Sequence, residues 1–90
     1  MRIHVEFVGM VAEKAKRKCV WLETEVNTTV ETLFFKVFPS FLGKEVAETL
    51  FKSFLNREII VVVNGTLTTE FTTMLNDGDK VYFFPMASGG

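Results

Sequence analysis

Hydrophobic and polar positions alternate near both ends of this chain and recur at helical spacing in its middle. In "RIHVEFV", residues 2–8, Ile3, Val5 and Phe7 fall on one side and His4 and Glu6 on the other. That period of two marks a half-buried strand. "GMVAEKAKRK" then breaks the alternation with glycine and charge, and reads as a longish connection to a second strand-forming run, "CVWLET". The two runs predict an amino-terminal hairpin. In "NTTVETLFFKVFPS", Val30, Leu33, Phe34, Val37 and Phe38 recur at i, i+3, i+4, i+7 and i+8, the wide apolar stripe of a helix. Thr28 and Glu31 match a Thr-x-x-Glu capping box at its start, and Pro39 is expected to stop it. A second helix is predicted over residues 42–55, with Val46, Ala47, Leu50, Phe51 and Phe54 on one face.

The rest of the chain returns to strand character. "EIIVVVNG" is apolar on both faces, so the strand should be central or well covered. Asn64-Gly65 is a turn signal. The threonine-rich "TLTTEFTTML" holds a short edge strand, Asn76-Asp77-Gly78-Asp79 forms a tight turn, and "KVYFF" is the last strand, ended by Pro85. Strand, strand, helix, helix, strand, short strand, strand is an α+β order: one sheet with helices on one face. Alternation sends Val81 and Phe83 to one face and Tyr82 and Phe84 to the other. A single-layer sheet buries one face under its helices, so Tyr82, Phe84 and Pro85 become candidates for a partner surface. Phe35 lies off the helical stripe; both Phe35 and Phe41 are expected in the core under the second helix.

Composition narrows the chemistry. Ninety residues make one domain, with a thin stability margin that ten phenylalanines help to offset. A net charge of −1 offers nothing global to attract nucleic acid or an acidic membrane. One cysteine, Cys19, cannot form an internal disulfide, and no signal peptide or membrane-length run is evident, so the cytoplasm is expected. The lone His4 reads as structural or solvated and Cys19 as structural; the basic run Lys14, Lys16, Arg17 and Lys18 reads as a solvated loop, with docking on an acidic partner the alternative. No phosphate-binding G-x-x-x-x-G-K-[ST] loop is present, and no cysteine cluster for zinc. The chain then closes on "PMASGG".

The whole chain, most specifically its carboxyl-terminal stretch, resembles the ubiquitin-like sulfur carriers, a β-grasp family that includes the molybdopterin synthase small subunit and the thiamine-pathway carrier. The matching residues are Val63-Asn64-Gly65, Leu75, Asp77-Gly78-Asp79, Val81, Phe84-Pro85 and Gly89-Gly90. The extra helical stretch at 42–55 and "FFP" resemble the molybdopterin type, although Met86 stands where that type usually has a second proline. The resemblance implies a mixed sheet of four to five strands within residues 1–84 and a flexible tail over 85–90. It implies that Gly90 carries the reacting carboxylate, that Gly89 gives it access, and that Tyr82, Phe84, Pro85, Met86, Ala87 and Ser88 meet partners. Those partners would be a ubiquitin-activating-enzyme-like adenylating enzyme using Mg-ATP, a sulfur donor protein, and the molybdopterin synthase large subunit in a heterotetramer. The chain itself would bind no cofactor and would be a donor subunit, not a catalyst alone. A ubiquitin-like modifier joined to lysines, a carrier for thiamine or tRNA thiolation, and an interaction module with an inert tail are the alternatives.

Overall fold

The computed structural model describes residues 1–86. Five strands form one mixed sheet in the order β2-β1-β5-β3-β4: β1 is Arg2–Phe7, β2 Cys19–Glu23, β3 Ile59–Val63, β4 Thr66–Thr68 and β5 Lys80–Pro85. β5 therefore enters the middle, parallel to β1 and antiparallel to β3. Register sets Val5 beside both Val20 and Val81, and Phe7 beside Phe83. The alternation in β1 and β5 is fulfilled, with Ile3, Val5, Val81 and Phe83 fully buried. β3 is flanked on both sides, as its apolar run requires, and β4 is the short edge strand. β5 runs through Pro85, whose register partner is Ile59.

The β1–β2 connection is not the open loop expected. It contains helix α1, Met10–Ala15, which buries Val11 and Ala15 one turn apart. Two apolar positions at i and i+4 suffice to seat one turn, and the charge between them hid that spacing. The chain leaves α1 through Lys16 in the left-handed conformation, φ 58°.

The central helical segment departs from expectation at both ends. Its cap is Thr29, not Thr28: the Thr29 hydroxyl accepts the Thr32 amide at 3.2 Å, while Thr28 donates backward to the Glu25 carbonyl at 2.6 Å. The box partner Glu31 is not needed, because residues 71–75 run alongside and supply acceptors. The Val30 and Glu31 amides donate to the Thr73 and Phe71 carbonyls at 3.1 and 2.8 Å. Nor does Pro39 stop the helix. Helix α2, Val30–Thr32, passes into a π-helical stretch, Leu33–Val37, and then into α3, Phe38–Leu42. Pro39 lacks an N–H and its ring would crowd the Phe35 carbonyl in a regular helix. One extra residue in the preceding turn accommodates it, with the Phe38 amide bonding to Leu33. The path ends at Gly43, φ 94°, before α4, Lys44–Leu55.

The helices cover one sheet face over an aromatic core. Phe34, Phe38 and Phe83 lie 5.4–5.7 Å apart, ring centre to ring centre, and Phe54 stacks on Phe34 at 5.4 Å. Such pairs add about 0.5–1.5 kcal/mol each beyond their burial. Phe41 packs half-buried against this core. Phe35 does not: it lies off the apolar stripe, and α4 meets it only through Phe51 among the aromatic rings, 4.6 Å between ring centres, leaving it 57% exposed.

Candidate functional site: the open sheet face and the root of the tail

The sheet face without helices carries an apolar patch on its β5–β3–β4 half. Tyr82 and Phe84, their rings 6.0 Å apart, lie beside Val62 and Ile60 in register. Leu67 continues the row from β4 and is 58% exposed. Toward β1 the face turns polar, because Glu6 is the neighbour of Tyr82 and His4 that of Lys80. His4 packs on exposed Trp21 at 4.9 Å, with the Arg2 guanidinium 4.8 Å from the same ring. His4 thus has a structural role. Cys19 does not: it is exposed at the start of edge strand β2, because only one side of that strand has a neighbour. Ile60, Val62 and Leu67 belong to the candidate surface, yet nothing in the sequence singles them out. An all-apolar run marks no face, and only the register with Tyr82 reveals which residues share it.

The two ends of β5 have different jobs. At its start, polar groups fasten it to both neighbours. The buried Asp79 carboxylate accepts the Asn76 amide at 2.7 Å and the Asn64 side-chain amide at 2.6 Å. The Asn64 side-chain carbonyl accepts the Lys80 amide at 2.9 Å. Asn64 itself is left-handed, φ 50°, in the β3–β4 turn. On the other side the Arg2 amide donates to Asp77 at 2.7 Å and the Gly78 amide to the Arg2 carbonyl at 2.7 Å. Gly78 adopts φ 84°, a conformation other residues enter at a cost. The Asn-Gly and Asp-Gly-Asp motifs are therefore scaffold: they hold the far end of the strand that delivers the tail.

At the other end the chain leaves the sheet beside α1. A Cβ on Gly9, φ 57°, would stand 3.4 Å from the Pro85 ring. The Met86 amide donates to the Glu58 carbonyl at 2.8 Å, one position beyond the Ile59–Pro85 pair. A proline at 86 would have no N–H to give, so it is Met86 that allows this bond at the tail root. Met86 is 44% exposed on a ridge between two grooves. One, a cavity of about 470 Å³, is lined by Met10, Lys14, Arg57 and Glu58 among others; the second runs past Leu55, Leu67 and Phe71. Ala87, Ser88, Gly89 and Gly90 lie outside the described residues. Four residues beyond Met86 span at most about 14 Å when extended, shorter than the roughly 20 Å available were the tail free from Pro85. Among the described residues no three His, Cys, Asp or Glu side chains converge as metal ligands, and no helix is long and apolar enough to cross a membrane.

A central carboxyl-terminal strand crossing a mixed five-stranded sheet, with helices on one face, defines a ubiquitin-like β-grasp domain. The chain belongs to the ThiS family, whose model matches residues 5–90. Among solved structures it is similar to SAMP1 of Haloferax volcanii, at 20% identity and a TM-score of 0.75 with both chains fully covered. The small archaeal modifier protein 1 of Methanosarcina acetivorans is similar at 18% identity and a TM-score of 0.71, covering 99% of this chain and 96% of that one. So is a chain of the complex of subunits 1 and 2 of the molybdopterin-converting factor of Helicobacter pylori, at 19% identity and a TM-score of 0.62 with both chains fully covered. No curated protein matches the sequence.

Proposed function

We propose that this protein is a sulfur carrier that acts as the small subunit of molybdopterin synthase. The observation that carries the reading is the anchored exit of β5. The strand is fixed at one end by Asp79 and at the other by the Met86–Glu58 bond. Residues 87–90, ending in Gly89-Gly90, follow this anchored strand in the sequence, and the strand carries the apolar pair Tyr82 and Phe84 on the sheet face without helices. The family match reaching Gly90 supports the same use of the tail.

A main-chain carboxyl ionises near pH ~3.5 and is a poor acyl donor at neutrality. In the proposed sequence an adenylating partner binds Mg-ATP and the Gly90 carboxylate attacks the α-phosphate, releasing pyrophosphate. A sulfide-level nucleophile, HS⁻ released by a donor protein, then attacks the acyl carbon and forms the C–S bond as the C–O bond to AMP breaks. AMP leaves and a thiocarboxylate remains, which the large subunit uses to sulfurate a pterin precursor. Gly89 and Gly90, without Cβ atoms, suit a narrow channel, while Tyr82, Phe84, Pro85 and Met86 stay at its mouth with Ala87 and Ser88 leading in. The Helicobacter pylori complex of subunits 1 and 2 supports a large-subunit partner of this kind.

The likeness to SAMP1 favours a second reading, in which the activated carboxyl passes to a lysine amine as in a protein modifier. Intact mass of the protein from its own cells separates the two. A fraction with one oxygen replaced by sulfur is expected for the carrier, and covalent ladders on blots for the modifier. Deleting Gly90, or adding one residue after it, should abolish adenylation; normal adenylation of either form would overturn the free-carboxylate mechanism.

A further inference from the structure

Four of the chain's ten basic residues, Lys14, Lys16, Arg17 and Lys18, fall within five positions, leaving six cations against eleven carboxylates elsewhere. The fold does not leave this run in a remote loop. α1 packs beside the exit of β5, with Gly9 against Pro85. Lys14 and Met10 line the same groove as Met86, and Arg57 completes its far side. Lys16, Arg17 and Lys18 continue the basic edge along an adjoining shallow groove. All four cations of the run are exposed. None makes an ion pair among the described residues, where the one pair is Lys52 with Glu48, 3.6 Å apart on α4. Arg17 alone has another engagement, 5.4 Å above the Phe41 ring. Glu58 is the single carboxylate lining the groove beside Met86, and Glu6 and Glu13 line the adjoining one.

Resting on the sulfur-carrier reading, we infer that Lys14 of α1, the Lys16-Arg17-Lys18 segment that follows it and Arg57 form a basic collar at the root of the tail that docks on an acidic protein surface bordering the channel of the adenylating partner. Unpaired cations next to a tail that must thread a channel steer the encounter and set its orientation. A protein surface fits better than a nucleic-acid backbone, because exposed Met10 and Met86, 63% and 44% accessible, sit in the same groove as the cations and need apolar cover. The collar is separate from the Tyr82–Phe84 face, so it adds a polar determinant to an otherwise apolar contact.

The test is ATP–pyrophosphate exchange by the adenylating enzyme of the same organism, with the carrier varied. In K14E/K16E/K18E the KM for the carrier is expected to rise about tenfold or more and its dependence on ionic strength to flatten, with kcat unchanged. K36E/K44E/K52E, an equal change of charge on the helix face, is expected to leave KM within about twofold. Circular dichroism and urea unfolding confirm that both variants fold. Equal KM and equal salt dependence in the two triple variants would overturn the collar while leaving the carrier reading intact. An unchanged KM with loss of RNA binding in K14E/K16E/K18E would reassign the run to nucleic acid. Failure of the unaltered protein to be adenylated would remove the carrier reading and the collar with it.

Discussion

The Met86 amide and the Glu58 carbonyl, 2.8 Å apart, close the last hydrogen bond of the sheet before the tail departs. M86P should remove it. Because Glu58 is exposed and water can replace the donor, the loss of stability should be at most about 1 kcal/mol. The clearer readout is the wild-type Met86 amide itself, which should exchange with solvent more slowly than an unstructured amide. Exchange at the unstructured rate would count against an anchored tail root.

The Asp79 carboxylate joins the turn before β5 to the β3–β4 hairpin through two charge-assisted bonds. D79A should therefore cost about 2–3 kcal/mol. D77A removes one bond at an exposed site and should cost less, about 1 kcal/mol. Urea unfolding of the two variants measures the difference, and equal losses would contradict the central role given to Asp79.

Phe83 and Phe84 are sequence neighbours on opposite faces of β5. F83A opens the aromatic core and should destabilise the protein by about 3–5 kcal/mol. F84S should leave a folded protein but, on the proposed synthase reading, weaken binding to the large subunit by about 2 kcal/mol, as truncation of an interface anchor does. Calorimetric binding to the large subunit together with urea unfolding separates these outcomes; intact binding by folded F84S would remove Phe84 from the docking surface.

Thr29, not Thr28, caps the central helical segment. T29A should lose about 1 kcal/mol, measurable by thermal or urea unfolding. A wild-type melting curve for T29A would show that the acceptors from residues 71–75 suffice alone.

Much of this fold was legible in the sequence because period-two alternation, turn residues and a helical stripe all agree. The strands at 2–7 and 80–85 and the scaffold turns at Asn64-Gly65 and Asp77-Gly78-Asp79 follow from local chemistry. What stayed hidden depends on contacts between distant segments. α1 has only Val11 and Ala15 to betray it. The position of the cap depends on acceptors about forty residues away in sequence, at Phe71 and Thr73. Phe35 lies off the stripe as its spacing requires, but how far α4 covers it depends on packing that the sequence does not show: it meets only Phe51 among the rings and stays 57% exposed. Of the candidate site, Tyr82, Phe84, Pro85 and Met86 could be read from alternation and from the tail. Their neighbours Ile60, Val62 and Leu67 required the cross-strand register.

The middle position of β5 also bears on how the protein is made. Before residues 80–85 have been synthesised, β1 and β2 pair only with each other, as do β3 and β4, and no strand joins the two hairpins. The aromatic core lacks Phe83 until the same moment. The sheet must therefore wait for its last strand, and long-range pairings of this kind form late and slowly. A chain that stops before residue 80 has two separate hairpins instead of a continuous sheet, and the fold is completed only by the last strand to be made.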